Sequence, residues 1–574
     1  MTKSLENDRP LAQMSANPFQ TEIKLYQKEF QAGDIATVVV VPDFYHIALP
    51  NLGHQLVEHQ INQEAGFFAD RAYLSQEYGL LKEHPNIKPE LIFISMSYEG
   101  SFIRALRMLD LLGCPLTRAE RTEADPLVIF GGWSVTKNPL SLFDLADVIG
   151  IGESQGMIKN ITDTYKRHRG SRQEFFDEAV GKQGLIIPGR YQVKTERGYL
   201  TQWETMNAPQ DIYPGKSTAF PHSLYLSPET DYNDIGYYEG RTFFSMEITD
   251  ACNSKCGYCG SGFKEKTRDV QDPRAIADLA EWGATFGADL VKLFYPAHTS
   301  LTAVKEIMRE LMGRGLYPRV GSAKAEKIDR EYIELVGQSG QEKIALAPET
   351  GDYELRKAVG KPGMTNEVLE RVIVTSVNVG IPNLDFYLIM NPPGEAKTSM
   401  NQTIDMLGSF LRLAKSEGLK GRMRVAAPNF FPKAWTPFQF GSSGSIEGYE
   451  SKISQLSDQL DESVKLSHMS GSVDLLSQNI ISRGGIEVGK ILLEVYRSLK
   501  QKAVAEGKFC EDNFDDWRQA LHALDIDEQD YFRERRTDKP MPWHHIHINE
   551  RIGLPTLIKY WEIFKGKRML LAFD

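Results

Sequence analysis

Ile248-Thr249-Asp250-Ala251-Cys252-Asn253-Ser254-Lys255-Cys256-Gly257-Tyr258-Cys259-Gly260-Ser261-Gly262 gathers three of the chain's five cysteines into eight positions, spaced C-x3-C-x2-C. The apolar run Phe243-Phe244-Ser245-Met246-Glu247-Ile248 directly before it predicts a strand, so the thiols fall on a loop at a strand's carboxyl end. Thiolates select zinc or iron–sulfur clusters. A closed zinc site takes four ligands, and no further Cys or His follows at finger-like spacing. Three thiolates on a cubane leave one iron open; an open zinc site is the other reading.

At 574 residues, 41% hydrophobic and 25% charged, the chain is long enough for roughly three domains and several cores. Cys114 and Cys510 stand alone, which is no disulfide framework and predicts a reducing compartment. Residues 1–10 carry no apolar leader, and no run of about 18 apolar residues occurs anywhere. A soluble, cytoplasmic protein without a membrane span is the expectation. A net charge of −11 argues against a large nucleic-acid footprint.

Upstream of the cysteines, after a polar extension (1–35), apolar runs alternate with helical periodicity. Strands are predicted at Thr37 to Val41, Leu91 to Met96, Leu127 to Phe130 and Asp147 to Ile151, with helices between. Continuous apolar strands alternating with helices mean a buried parallel sheet, so residues 36–168 read as a doubly wound α/β domain. Ligands in such sheets bind outside the strands' carboxyl ends. Three ends are candidates: Asp43 to His46, Gly131-Gly132 to Ser134, and Gly150 to Gly152-Glu153. No G-x-G-x-x-G follows the first strand, which argues against a dinucleotide.

Residues 169–240 read as a connector with short strands, such as Tyr191-Gln192-Val193. From 241 to 445 strand and helix alternate about six times, the pattern of a partial TIM-type (β/α)6 barrel with its chemistry at the strands' carboxyl ends. Residues 446–574 turn helical. Within them Pro542-Trp543-His544-His545-Ile546-His547 brings three histidines into four positions. Alternation puts His545 and His547 on one face, but no nearby carboxylate or cysteine completes a metal set.

The C-x3-C-x-aromatic-C pattern resembles the radical SAM superfamily. That resemblance implies a 4Fe-4S cluster on Cys252, Cys256 and Cys259, with S-adenosylmethionine on the open iron. Tyr258 would cover the cluster. Pro348-Glu349-Thr350-Gly351 sits where the superfamily places a glutamate near the methionyl and ribose part of the cofactor, and Ser322 ends a strand at a position suited to a ribose contact. Asn391-Pro392-Pro393-Gly394-Glu395 is similar to a G-x-P-G-E turn with Asn391 replacing glycine. Phe431-Pro432-Lys433-Ala434-Trp435-Thr436-Pro437-Phe438 is similar to a P-K-x-x-T-P-F segment closing such cores. The usual small-residue, acidic motif reads Tyr295-Pro296-Ala297-His298 here; His298 faces substrate or packs in its loop.

With the doubly wound domain directly upstream, the chain resembles the cobalamin-dependent radical SAM enzymes, whose N-terminal domain is Rossmann-like. Gly131, Gly132, Gly152 and Glu153 then become cobalamin contacts. Asp43-Phe44-Tyr45-His46 departs from D-x-H-x-x-G, which implies a corrin without a protein imidazole on cobalt. Arg71 is the candidate for that lower face, or else a salt-bridged arginine.

The resemblance implies a C-methyltransferase that moves a methyl group from S-adenosylmethionine, via methylcobalamin, to a carbon of a small molecule or amino acid. It includes enzymes such as tryptophan 2-C-methyltransferases, which methylate an sp2 carbon without hydrogen abstraction. An electron donor of flavodoxin or ferredoxin type is the implied partner. The alternatives are a rearrangement or cyclisation without methyl transfer, an RNA methylthiotransferase, and a non-catalytic cobalamin or cluster sensor.

Overall fold

A computed structural model describes residues 17–227, 242–250, 252–264, 268–297, 299–467, 469–549 and 552–571. His298 lies outside them.

The strand Ile35–Phe44 forms around four consecutive valines, which are stiff at χ1 and pack well on a pleated surface. Val38, Val39 and Val40 are fully buried, as a central parallel strand requires. It belongs to a seven-stranded sheet ordered Leu80–Lys82, Phe67–Leu74, Ile35–Phe44, Leu91–Ser95, Leu127–Gly131, Val148–Gly150, Leu185–Ile186. The five inner strands pair in parallel and the two edge strands run antiparallel. Counted along the chain, the inner order is 2-1-3-4-5, which reverses between the first and third strands. Helices Leu52–Gln63 and Ser154–Arg167 pack together over one face, where Val39, Phe93 and Ile129 point. Helix Phe102–Leu111 covers the other, against Val38, Val40 and Ile92.

The second half is built from seven parallel strands in two arcs. One holds Phe243–Glu247, Leu290–Phe294 and Tyr317–Val320; the other holds Lys343–Glu349, Asn383–Leu388, Met423–Ala426 and Val464–Ser467. Between them run helices Pro273–Ala284, Leu301–Gly313, Arg330–Gln338, Asn366–Val379, Ser399–Ser416 and Ile446–Gln459. This is the partial barrel, and the unit that follows residue 445 extends it: Val464–Ser467 pairs in parallel with Met423–Ala426.

Between the halves lies a hairpin, Tyr191–Glu196 with Tyr199–Thr205. The histidine segment seals against this connector: Ile212 donates to the His545 carbonyl at 2.9 Å, and His547 donates from its backbone to Ile212 at 2.8 Å. Among the described residues no helix is long and apolar enough to cross a membrane.

Candidate active site at the facing strand ends

The cysteine loop leaves the strand Phe243–Glu247 and is clamped from three sides. Gly257 donates to the Val359 carbonyl at 2.9 Å and accepts from Phe438 N at 3.0 Å. A Cβ on Gly257 would stand 2.4 Å from the Phe438 ring, and one on Gly360 would stand 2.9 Å from the Cys256 Cα. Only glycines let these chains approach so closely. Cys252 and Cys256 are buried and Cys259 half-buried, all three as free thiols. Three thiols on one loop are a soft donor set that fits an iron–sulfur cluster with one iron left open.

Tyr258 reaches from the loop to the end of the strand Lys343–Glu349, donating to Glu349 Oε1 at 2.7 Å. Lys361 pairs with the same oxygen and donates to the Ala347 carbonyl at 2.6 Å. Glu349 itself has φ +66, a left-handed conformation uncommon for glutamate. Burial and the Glu349 charge push the Tyr258 phenol up, so it stays a donor. Burial likewise pushes the Cys256 thiol up, opposed by the Lys361 charge; metal binding is what makes such a thiol ionise.

Beside Tyr258 opens a cavity of about 460 Å³. Its walls come from Ile389, Asn429 and Phe430 at the barrel's strand ends, Tyr98 from the N-terminal domain, and Asp474 and Gln478 from helix Ser472–Arg483. Gln478 donates to the Tyr98 hydroxyl at 2.8 Å, which donates to Asp474 at 3.3 Å. Lys433, also in the wall, donates to Glu99 at 2.7 Å and Ser482 at 3.1 Å. Burial pushes Glu99 up, but the Lys433 ammonium together with hydrogen bonds from Ser482 and the backbone leaves the carboxyl below its ordinary value.

A second cavity, about 530 Å³, lies at the carboxyl ends of the N-terminal strands. It begins between the first and third inner strands, at Val39 and Phe93, and runs under helices Leu52–Gln63 and Ser154–Arg167 past Gly131, Gly132, Gly152 and Glu153. Gly132 has φ +111, and a Cβ there would sit 2.4 Å from the Met96 carbonyl oxygen; Gly152 has φ +92, with the Gly215 oxygen 2.6 Å away. Lys264, Arg268 and Phe294 of the barrel complete the wall. Arg268 spans the halves, donating to Glu247 at 2.7 Å and Glu153 at 3.4 Å.

Other expected residues lie elsewhere. Arg71 does not line the cavity: it is fully buried, bonded to Glu22 at 2.9 and 2.6 Å and to Glu83 at 2.9 Å, with Glu58 at 3.4 Å and its guanidinium 3.5 Å from the Tyr225 ring centroid. With three carboxylates around it, it is a structural ion cluster rather than a cation facing a corrin. Asn391 takes φ +55, donates to Asn429 at 2.9 Å and accepts from Lys452 at 2.6 Å, holding the turn behind the barrel cavity. Pro432 is buried between the cavity-lining Phe431 and Lys433. Ser322 is half-buried beyond the strand Tyr317–Val320 and lines neither cavity.

The three histidines do not converge. His545 stacks on Trp203 at 3.8 Å, His544 accepts from Met541 N, and His547 pairs with Asp211 at 2.8 Å. Among the described residues the compact metal-ligand group is Asp70, Glu83 and His84, which Lys82 and Arg71 already neutralise.

Residues 246–407 match the family model described as Radical SAM superfamily, and residues 53–188 that described as Radical SAM proteins, N-terminal. The chain belongs to the radical SAM superfamily. Membership makes it an enzyme and implies a 4Fe-4S cluster and S-adenosylmethionine as cofactors. Among solved structures it is similar to the cobalamin-dependent S-adenosylmethionine radical enzyme OxsB, with aqua-cobalamin and S-adenosylmethionine bound, at 12% identity over 94% of this chain and 80% of that one, TM-score 0.44. SuiB of Streptococcus suis, bound to S-adenosylmethionine, aligns at 11% identity over 39% of this chain and 49% of its own, TM-score 0.29. Methylornithine synthase PylB aligns at 13% over 49% and 85%, TM-score 0.27. No curated protein sequence matches.

Proposed function

We propose that the chain is a cobalamin-dependent radical SAM C-methyltransferase acting on a carbon of a small molecule or amino acid. The observation that carries it is the glycine-edged cavity of about 530 Å³, whose wall is completed by the barrel that bears the cysteines. Its size suits a cofactor-sized group, its sheet wall is apolar, and Gly132 and Gly152 bring bare backbone to its mouth, where a Cβ would strike a carbonyl. Gly131, Gly132, Gly152 and the apolar sheet wall would hold a corrin there. When bound, the corrin and the cluster supply methyl transfer and reductive cleavage of S-adenosylmethionine.

The chain's residues position and enclose. Cys252, Cys256 and Cys259 would hold the cluster, and Tyr258, tethered to Glu349, would cap it. Glu349 is neutralised by Lys361, so the mouth gains rigidity without a free negative charge. The neighbouring cavity, with Tyr98, Asp474 and Lys433 around Phe430, would receive S-adenosylmethionine and substrate beside the cluster. Helix Ser472–Arg483 closes it against the N-terminal domain, where Asn138 donates to the Ile481 and Gly484 carbonyls at 3.0 and 2.8 Å, and excludes water from a radical.

The test is anaerobic reconstitution with iron, sulfide and hydroxocobalamin, followed by turnover of candidate amino acids with methyl-labelled S-adenosylmethionine and a chemical reductant. The expected product is heavier by one methylene and carries the label. A protein that takes up iron but no corrin, or that yields a product without label, overturns the proposal.

A further inference from the structure

Lys137 ends the short helix Trp133–Lys137 that starts at Gly132 on the N-terminal cavity's rim. Its side chain turns to the barrel. The ammonium is buried, 4.4 Å from the Trp133 ring centroid, and has no hydrogen-bond partner. An ammonium taken out of water is costly unless an anion or acceptors meet it. The acid nearby, Glu99, is already held by Lys433, and Lys264, paired with Asp250 at 3.2 Å, stands 5.8 Å from the same Trp133 ring centroid. What the ammonium does meet is the cysteine loop: a Cβ on Gly260, the residue after Cys259, would stand 2.7 Å from Lys137 Nζ.

We infer that Lys137 is a positioning residue for the cluster, an ammonium delivered from the neighbouring domain to the cysteine loop at Gly260, next to Cys259, where it eases one-electron reduction. This rests on the reading of the three cysteines as ligands. A cluster's potential is set by its net charge, hydrogen bonds to its sulfurs and solvent exposure. A fixed positive charge behind the Trp133 ring acts at lower effective dielectric than one in water, so it favours the electron-rich state more strongly. Because the residue belongs to the N-terminal domain, the cluster would reach its working potential only when the two halves are docked.

The experiment is a potentiometric titration of the reconstituted full chain, followed by electron paramagnetic resonance, for wild type, Lys137→Met and Lys137→Arg. Lys137→Met is expected to weaken reduction at least tenfold, a midpoint about 59 mV more negative for a one-electron couple. Lys137→Arg, which keeps the charge, is expected to change it less than threefold. The iron-free Lys137→Met protein is expected to melt at or above wild type, since an unpaired buried charge is gone. A Lys137→Met midpoint that superimposes on wild type overturns the inference. If Lys137→Met takes up no cluster, uptake by Lys137→Arg supports it and failure of both overturns it. A wild type without a cluster would instead overturn the reading of the cysteines.

Discussion

The two cavities are made by different means. At the N-terminal sheet the wall is backbone and hydrocarbon: glycines with positive φ, strand ends, and helices packed on Val39 and Phe93. At the barrel mouth it is a network of charged and hydroxyl groups, Tyr258 with Glu349 and Lys361, Lys433 with Glu99, Tyr98 with Asp474. A shape-built site tolerates a large, chemically varied ligand but no added methyl group. A charge-built site tolerates small changes of shape but no lost partner. The same molecule thus pairs a holder with a reactor, and substitutions ought to separate them.

The largest expected effect is at the reactor. Cys256→Ala should abolish cleavage of S-adenosylmethionine and bring iron to background while corrin uptake stays at the wild-type level; loss of both would mean the halves form one inseparable site. Glu349→Gln leaves Lys361 buried without its counter-charge, which costs about 3–5 kcal/mol and should appear as a lower urea midpoint together with a weakened cluster absorbance. Gly132→Ala forces a side chain into φ +111 against the Met96 oxygen, a strain of about 1–3 kcal/mol; corrin affinity should fall with iron content unchanged.

The smallest effect lies outside both cavities. Burial pushes His544 and His545 down to about 3 from an ordinary 6.5. The unfolded chain therefore takes these protons first, and the stability they contribute is whole above pH 6.5 and lost as pH falls toward 3. The slope is about 1.4 kcal/mol per pH unit for each ring. His545→Phe, which keeps the stack on Trp203, should flatten denaturation midpoints between pH 6.5 and 4 without touching activity. A change in metal content on that substitution would contradict the packing role.

Much of the frame was legible because it is written locally. The valine run, the glycines that end strands and the C-x3-C-x2-C loop each carry their meaning within a few residues, since β-branching, positive φ and thiolate spacing are local properties. The strand Val464–Ser467 lies in the stretch that reads as helical, because four residues, though alternating apolar and polar, are too few to outweigh the helical pattern before them; its pairing with Met423–Ala426 makes it a strand. The surroundings of Arg71 are not legible along the chain either. Glu22, Glu58 and Glu83 are 49, 13 and 12 positions away along the chain, and nothing local announces that they meet one guanidinium.

What the sequence by itself determined was the list of parts: a parallel α/β sheet, an arc of β/α units, and a three-thiol loop of the radical SAM type. What the tertiary structure alone decided was who faces whom. Glu349 meets Tyr258 and Lys361 from separate elements, the histidines scatter into packing roles, and the Lys137 ammonium stops beside Gly260. Local propensity acts over a few bonds. The pairing of buried charges is decided by desolvation, which exists only once the chain has closed around them.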